Sequence, residues 1–543
     1  MVFCAAGLLV LPLLSSQAYC ATESGSVGTA RPEASVAPAE GPRFDVLEYQ
    51  VEGNTKLATI AIEKAVYPFL GPAKTVKDVE AARAALEKAY HDAGYLTVLV
   101  DLPEQKVDEG IVTLKVVEGA VDRLKVTGSR YYSQGVIRSK IPELAEGNVP
   151  DFKAVQNQLT DLNRSPGRTV TPVLRPGQTP GKVEVDLKVQ DEPPLHGGIE
   201  LNNRESPDTT ALRLNGYLRY DNLWQRQHSI ALNYQISPED TTQVRALSGT
   251  YVMPLNSGDS LAVYAIKSNS NVASLGSIDV VGNGTIAGAR YVAPLHPLGQ
   301  YTHSATVGLD YKDIKQSTGL GTGTIETPVR YFTSTLQYSA ARPDSKGRFQ
   351  FDLGATMGLR ALSNRQVECL PGDFEDQFEC SRHSAQGDFF YVKADATRIQ
   401  TLPKDASLVL KLQGQLSGDP LVSNEQFYAG GAETVRGYLE SEVLGDSGFI
   451  ASVELRSPSF AAVAHGLLDQ LVALMFFDMA RVYLVDALPG QQSVFRISGA
   501  GVGLRATAPH GFSATIDLAF ALEDGPRTKA GDARVLFQVA YEF

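Results

Sequence analysis

The sequence predicts a transmembrane antiparallel β-barrel of about 16 strands, preceded by two α+β modules. Three observations support this fold class. An apolar N-terminal run is followed by small residues, as in a secretory signal. Helical and strand periodicities then follow one another up to residue 192. In residues 193–543, segments alternate apolar and polar side chains between turn residues, and roughly 22 residues per strand and turn gives the strand number.

The N-terminal 42 residues are predicted to be a targeting segment and a linker. Residues 1–21 form the predicted signal peptide, with the apolar run Val2–Leu14 and a cleavage motif ending at Ala18. Lipid attachment at Cys20 is the less favoured alternative, because the residues before it match a lipobox poorly. Residues 22–42 are rich in proline and small residues and show no amphipathic period, which predicts a flexible linker.

Residues 43–119 are predicted to form one α+β module, and residues 120–192 repeat its order of elements. Thr75 begins a helix through a pattern close to a capping box, with Asp78 in the place usually taken by Glu or Gln. Gly128 and the Pro-Gly pairs mark the ends of strands in the second module. The predicted strands are 47–51, 97–102, 111–118, 121–126, 169–174 and 183–189, and the predicted helical stretches lie at 79–90, 134–140 and 152–162.

The alternation in the last 350 or so residues is what predicts a membrane barrel. A soluble sandwich also alternates, but here the polar phase carries Arg, Asn and Asp, as a wet lumen requires. The segments are about ten residues long, enough to cross a bilayer when tilted. Tyr and Phe, 22 and 21 in number, can supply the aromatic girdles at the membrane surface. The clearest examples are 212–220, 230–236, 512–520 and 535–543.

Several function classes fit the sequence poorly. A net charge of −12 argues against a nucleic-acid partner held by phosphate contacts. After the N-terminus no apolar run reaches the length of a membrane helix. Cys369 and Cys380 close a short acidic stretch, which favours a disulfide-stapled loop over a metal site because no His/Cys/Asp cluster accompanies them. We expect no cofactor, no metal and no enzymatic activity, since no nucleophile elbow or phosphate loop occurs.

Motifs in both halves resemble the two-partner secretion transporters, often called TpsB, which are relatives of the barrel-assembly protein BamA. Val51-Glu-Gly-Asn54 resembles the POTRA modules of that family. The sharpest match is the run from Phe427 to Tyr438, which contains the core Val435-Arg436-Gly437-Tyr438. Phe476-Phe-Asp478-Met-Ala480 resembles the family's F-x-D-x-G strand motif, with Ala480 in place of the final Gly.

The resemblance implies how these motifs come together. In the family, a long loop folds back into the barrel and its Arg reaches the Asp on the wall. The loop is expected at residues 417–448, with Arg436 on the loop and Asp478 as its partner. An Arg that merely solvates the lumen is the alternative interpretation. The resemblance implies an outer-membrane transporter whose periplasmic POTRA modules receive an unfolded adhesin- or haemolysin-like exoprotein. The expected protein is a monomer among outer-membrane lipids; a BamA-type assembly factor and a passive porin are the alternatives.

Overall fold

The computed structural model describes residues 42–543 except 108, 164–166, 256, 270–271, 276–277, 282, 321–322 and 371. The predicted signal peptide, and all but the last residue of the predicted linker, therefore lie outside the described residues. The chain divides into two compact units, one ending at Pro193 and one running from Pro194 to Phe543. Each unit is described separately.

The first half of the N-terminal unit is a three-stranded sheet with two helices. Its central strand pairs parallel with one neighbour and antiparallel with the other, in the order β2-β5-β4. The long helix begins where the sequence predicted, because the Asp78 carboxylate accepts hydrogen bonds from the Thr75 N–H and hydroxyl, both at 2.8 Å, and the backbone donor lowers the Asp78 pKa. The elements are β1 Phe44–Val46, β2 Glu48–Glu52, α1 Thr59–Val66, β3 Gly71–Lys74, α2 Val76–Ala93, β4 Val98–Asp101 and β5 Ile111–Glu118.

One residue of the Val51–Asn54 motif ties this sheet to the helix. Tyr90 on α2 is fully buried, and its hydroxyl donates to Asn54 Oδ1 at 2.5 Å. Burial raises the pKa of Tyr90 to about 12, so the phenol stays a donor. Gly53 has φ 85°, and a Cβ there would lie 2.4 Å from the Val116 carbonyl oxygen, so the motif needs glycine at this turn.

The second half of the unit repeats the sheet with the order β6-β8-β7, again with one parallel and one antiparallel pair. The two halves are joined at the end of α2. Gly94 adopts φ 114°, and its carbonyl accepts from the Phe152 N–H at 2.9 Å, while Lys153 Nζ donates to the Asp92 carbonyl at 2.6 Å. The elements are β6 Val121–Thr127, α3 Gln134–Ser139, α4 Phe152–Leu162, β7 Arg168–Pro176 and β8 Val183–Asp191.

The second unit is a closed barrel of sixteen antiparallel strands within the described residues, which confirms the predicted fold class. The barrel order is β9 to β13, β16 to β19, β22, β23 and β26 to β30. In chain order the elements are β9 Leu195–Asn202, β10 Arg213–Leu223, β11 His228–Ile236, β12 Arg245–Pro254, β13 Ser260–Ser268, β14 Val272–Leu275, β15 Ile278–Val281, β16 Asn283–Pro294, β17 Thr302–Leu320, β18 Gly323–Asp344, β19 Gly347–Gly358, α5 Arg360–Ser363, β20 Gln366–Leu370, β21 Asp373–Asp376, α6 Gln377–Ser381, β22 Phe390–Thr401, β23 Ser407–Ser417, β24 Phe427–Ala429, β25 Val443–Gly445, β26 Ser447–Arg456, β27 Gln470–Tyr483, β28 Val494–Ala508, β29 Phe512–Ala521 and β30 Ala533–Glu542.

Six single-turn 3₁₀ helices complete the described elements. They are Tyr67–Phe69, Pro142–Leu144, Pro403–Asp405, Ser423–Glu425, Ala461–Ala464 and Pro509–Gly511. No helix among residues 42–543, gaps aside, is both long and apolar enough to span a bilayer.

Alternation along the strands separates an apolar outer face from the inner face. On β27, Met475 and Phe477 point outward and are 58% and 44% exposed, whereas Asp478 points inward and is fully buried. The predicted alternating segments follow the same rule, since Leu218 and Ile516 are also exposed on the outside. An apolar outer belt around a polar interior is the arrangement that a lipid bilayer requires.

The barrel closes where β30 meets β9. Their register runs from Gln538 opposite Asn202 to Glu542 opposite Gly198, and Gly197 and Phe543 exchange two further backbone hydrogen bonds of 3.1 and 2.9 Å. We call the rim at which β9 begins the proximal rim and the opposite rim the distal rim. Because consecutive strands are antiparallel, the long connections after β19, β23, β27 and β29 all emerge at the distal rim.

Candidate functional site

The connection between β23 and β26, residues 418–446, turns back into the barrel, and we call it the pore loop. Its base is the two-stranded β24–β25 ladder, and its tip is the segment 430–442 between those strands. Apolar residues of the loop, including Val435 and Tyr438, pack in one cluster with Ile450, Ala480 and Ile497 of the wall. The methyl group of Ala480, where the family motif has Gly, belongs to this cluster and packs beneath the loop.

Glycines let the tip lie directly on the wall. Gly437 has φ 105°, and a Cβ there would approach the Phe520 and Ala521 backbone at 3.1 Å. On the wall, a Cβ at Gly499 would lie 1.9 Å from the Arg436 carbonyl oxygen. At both glycines the backbone of the tip packs against β28 and β29. These contacts fix the position of Arg436 along the strands of the wall.

Arg436 and Asp478 meet in a buried ion pair. Arg436 Nε donates to Asp478 Oδ2 at 2.7 Å and Nη2 donates to Oδ1 at 2.9 Å, so the pair is bidentate. The Arg436 N–H also donates to Oδ2 at 3.2 Å, and the Ser452 hydroxyl donates to Oδ1 at 2.6 Å. The sequence-predicted partners are therefore in direct contact, with four hydrogen bonds converging on one carboxylate.

Two more carboxylates and one aromatic ring surround the Arg436 guanidinium. Its Nη1 donates to Glu454 Oε2 at 2.8 Å and lies 3.8 Å from Asp517 Oδ2. Its Cζ lies 3.4 Å above the centre of the Phe476 ring, a cation–π contact. Sequence reasoning missed the roles of Glu454 and Asp517, although each lies on an alternating strand at an inward position.

The additional carboxylates have arginine partners of their own. Arg456 Nε donates to Glu454 Oε1 at 2.6 Å, and Arg505 makes a bidentate pair with Asp517 at 2.5 and 2.7 Å. A polar cavity of about 220 Å³ adjoins the cluster and is lined by these charged groups. Asp478 differs from the other two carboxylates in its partners. Among the described ion pairs, Arg436 is the single cation that contacts Asp478, whereas Glu454 and Asp517 each contact a second arginine.

The rest of the predicted motif fixes the tip. Tyr438 is buried, and its hydroxyl lies 2.7 Å from the Glu523 carbonyl oxygen and 3.0 Å from that of Ser498. Glu442 accepts from the Thr528 N–H at 2.7 Å and from the Thr528 hydroxyl at 2.6 Å. The tip is thus also bonded to the connection after β29, a contact that the sequence did not indicate.

A second buried carboxylate, missed from the sequence, anchors the first limb of the pore loop, by which we mean residues 418–429 before the tip. Glu425 is 1% exposed and receives Lys312 Nζ at 2.5 Å. The hydroxyls of Tyr331 and Tyr391 donate to it at 2.6 and 2.8 Å. Lys312, Tyr331 and Tyr391 lie on β17, β18 and β22, whereas Asp478 and Glu454 lie on β27 and β26. The loop is therefore held by charged groups on two separate parts of the wall.

Cys369 and Cys380 form a disulfide within the connection between β19 and β22. The bond lies at the distal rim and joins β20 to α6. Among the residues that the structure describes, no group of three or more His, Cys, Asp or Glu side chains is placed to hold a metal ion. The carboxylates around Arg436 are engaged by arginines, so they serve an ionic contact between loop and wall.

Comparison with known proteins places the chain in a family. The family described as "Haemolysin secretion/activation protein ShlB/FhaC/HecB" matches residues 181–506, and the ShlB-type POTRA domain matches residues 44–119. The outer membrane transporter CdiB of Dickeya dadantii (strain 3937) is 22% identical over 419 residues, covering 75% of this chain and 71% of that protein. The heme/hemopexin transporter protein HuxB of Haemophilus influenzae (strain ATCC 51907 / DSM 11121 / KW20 / Rd) is 18% identical over 499 residues, 89% of this chain and 85% of that protein.

Two solved structures share the fold. CdiB from Escherichia coli has a TM-score of 0.60 at 20% identity, over 94% of this chain and 93% of that one. BamA from Haemophilus ducreyi lacking POTRA domains 1-3 has a TM-score of 0.54 at 14% identity, over 92% of this chain and 100% of that one. Because the family match spans more than half of the sequence, the chain belongs to the haemolysin secretion/activation family, the outer-membrane transporters of two-partner secretion.

Proposed function

We propose that this transporter passes one unfolded partner exoprotein through its barrel, and that Arg436 and Asp478 are the two halves of the latch that controls passage. The protein lies in the outer membrane with its POTRA modules in the periplasm. The main support for this proposal is the buried bidentate pair between Arg436, on a loop inside the lumen, and Asp478 on the wall. A polypeptide cannot pass while the loop fills the lumen, so the pair must open.

The orientation follows from chain connectivity. The POTRA modules precede Pro194 and are periplasmic, so β9 begins on the periplasmic side. The proximal rim is then periplasmic and the distal rim extracellular. The pore loop descends from the extracellular rim, and the outer apolar belt contacts lipid. A single chain closes the barrel, which suits a monomer.

Of the three carboxylates around Arg436, Asp478 is the one that has no other cation among the described residues when the tip leaves. When the tip leaves, Glu454 keeps Arg456 and Asp517 keeps Arg505, whereas Asp478 keeps the Ser452 hydroxyl. Removing one member of a buried pair costs roughly 3–5 kcal/mol because the other charge is left without compensation. Opening therefore requires rehydration of Asp478, and the polar cavity is lined by Arg436 and Ser452, the two residues that contact this carboxylate.

The partner is proposed to be a secreted adhesin- or haemolysin-like exoprotein. An extended segment can add to an open edge of a POTRA sheet, where backbone hydrogen bonds tolerate varied sequence. In the first module β4 is such an edge, since it pairs with β5 on one side. Folding of the cargo outside the cell would supply directionality, because the sequence carries no nucleotide-binding loop.

Arg436→Ala tests the latch in cells that carry the partner gene. We expect export to fall by roughly tenfold or more, in keeping with loss of a buried charge-assisted pair. Barrel assembly should be preserved, as checked by heat-modifiable migration on gels. Arg527→Ala is the matched control, because Arg527 pairs with Asp208 in an exposed position. Unchanged export of the partner by a folded Arg436→Ala barrel would reject the latch.

Deletion of the whole gene separates the competing functions. A two-partner transporter should leave other outer-membrane proteins intact while one exoprotein disappears from the surface. General loss of barrels would instead support a BamA-type assembly role. A conductance that stays open and unaffected by Arg436→Ala would support a passive porin.

A further inference from the structure

We propose that Arg382 is a second latch, which closes the extracellular mouth by tying a neighbouring loop to both ends of the pore loop. The neighbouring loop lies between β19 and β22, comprises residues 359–370 and 372–389 of the described chain, and is called the lid loop. The proposal rests on the proposed function, in that the mouth it closes is that of an export pore. It concerns residues remote from the Arg436 latch and assigns a role to Asp446.

Asp446 is a fully buried carboxylate at the C-terminal end of the pore loop, directly before β26. Its Oδ1 accepts from the Leu421 N–H at 2.9 Å, and its Oδ2 accepts from the Val485 N–H at 2.7 Å. Leu421 lies at the other end of the pore loop, and Val485 lies in the connection after β27. Through bonds to backbone N–H groups alone, the Asp446 carboxylate joins two separate connections at the extracellular rim.

Arg382 completes this junction from the lid loop. Its Nη1 and Nη2 bind the two oxygens of Asp446, the Nη2 bond being 2.6 Å. The same nitrogens donate to the Leu421 carbonyl at 2.6 Å and to the Val485 carbonyl at 3.0 Å. The planar guanidinium therefore ties the lid loop to two other loops at once, a geometry that a lysine ammonium cannot reproduce.

The lid loop is docked independently on the barrel wall. Gln377 is fully buried and exchanges two hydrogen bonds with the Arg330 backbone of β18, at 2.9 and 2.8 Å. Phe378, Ala385 and Phe389 of the lid loop pack in one cluster with wall residues and with Leu421 and Val422 of the pore loop. The Cys369–Cys380 disulfide fixes the short helix α6 two residues before Arg382.

These contacts divide the work of closure between two sites. Arg436 holds the tip of the pore loop inside the lumen, and Arg382 holds both ends of the same loop beneath the lid loop. Release of the tip does not by itself break the Asp446 junction, because the two clusters share no residue. The lid loop can therefore move away from the pore loop only when the hydrogen bonds between Arg382 and Asp446 break.

A cysteine reporter can follow the lid loop without any cargo. Ala385 belongs to the lid loop and is 2% exposed where the lid loop packs on its neighbours, so Ala385→Cys should resist a membrane-impermeant maleimide added to whole cells. The native Cys369 and Cys380 are joined and do not react. With Arg382→Gln, we expect labelling and the open fraction in planar-bilayer recordings in KCl to rise by roughly tenfold, as loss of a charge-assisted hydrogen bond predicts.

Arg360→Gln is the matched control, because Arg360 pairs with Asp388 within the lid loop at an exposed position. Labelling and open fraction there should equal those of the parent protein. Arg382→Lys, which keeps the charge but not the fork, should give an intermediate rise; it also decides the matter if the Gln variant fails to assemble. A folded Arg382 variant that behaves like Arg360→Gln would overturn the second latch.

The experiment distinguishes this proposal from the proposed function. Labelling and conductance are measured in the absence of the exoprotein, so a chain that exports nothing could still show lid release. Conversely, normal export with an unaltered lid in Arg382→Gln would reject the second latch and leave the transporter assignment intact.

Discussion

The first limb of the pore loop and its tip are anchored by opposite kinds of charged cluster. On the first limb, the loop supplies a carboxylate, Glu425, and the wall supplies one cation and two phenols. At the tip, the loop supplies a cation, Arg436, and the wall supplies three carboxylates. The first cluster is closed around its carboxylate, whereas the second borders a polar cavity of about 220 Å³ that Glu425 does not line.

The difference indicates which part of the pore loop moves. Water in the cavity can replace the contacts of Arg436 as the tip leaves, which lowers the cost of separating its charges. Glu425 has no such substitute, since its donors belong to the wall and to Asn424 beside it. We infer that the tip swings while the first limb stays fixed, so damage to the two anchors should have different consequences.

The largest expected effect is on stability and comes from the fixed limb. Lys312→Met leaves Glu425 buried beside two phenols without its cation, which should cost roughly 3–5 kcal/mol. The temperature at which the folded gel band converts to the unfolded band should fall accordingly. The control is Arg527→Met, whose exposed pair with Asp208 should contribute about 1 kcal/mol or less. Equal melting of the two variants would contradict a closed anchor at Glu425.

A smaller effect should distinguish the wall carboxylates that contact the tip. Asp478→Asn removes the bidentate partner of Arg436, a loss of about 1.5–3 kcal/mol for hydrogen bonds to a charged group. We expect a higher open fraction in single-channel recordings and little additional effect when Arg436→Gln is combined with it, because the two residues act as one unit. Glu454→Gln should change the open fraction less, since Arg436 retains the Asp478 pair. An additive double variant would refute direct coupling.

The smallest expected effect tests contact without charge. Gly499→Ala places a methyl group where the Arg436 carbonyl lies, so the tip must shift at a cost of about 1–3 kcal/mol. The open fraction should rise while the melting temperature stays near that of the parent, because the Glu425 anchor is untouched. Gly354→Ala is the control, as the nearest atom to its Cβ lies 4.0 Å away. If both alanine variants gave parental channels, the tip would not rest on β28.

The sequence could predict the moving anchor but not the fixed one. Arg436 and Asp478 stand in motifs that resemble a known family, and Asp478 occupies an inward position on an alternating strand. Glu425 lies in Ser423-Asn-Glu425, a polar run that by composition is typical of an exposed turn. Its burial depends on Lys312, which is 113 residues earlier in the chain. Local composition contains no signal for a contact over that distance.

The fold shows the same division between periodic and non-periodic signals. The α+β modules and the closed barrel were predictable because α2 and α4 repeat apolar residues at helical spacing and the barrel strands alternate. The helix α1 was missed because Thr59, Ile60 and Ile62 are β-branched and weaken a helical reading. Arg382 was missed for a different reason: a lone arginine two residues after a cysteine has no spacing that points to Asp446.

The meeting of β9 and β30 has a consequence for how the protein is made. These strands lie at opposite ends of the barrel sequence, so their pairing closes the longest loop in the unit. Neither edge is satisfied until β30 has left the ribosome and reached the membrane, and until then β9 exposes an unpaired row of backbone groups. Such distant pairing is slow and prone to aggregation. Biogenesis therefore depends on holding the chain unfolded until the ten residues of β30 arrive.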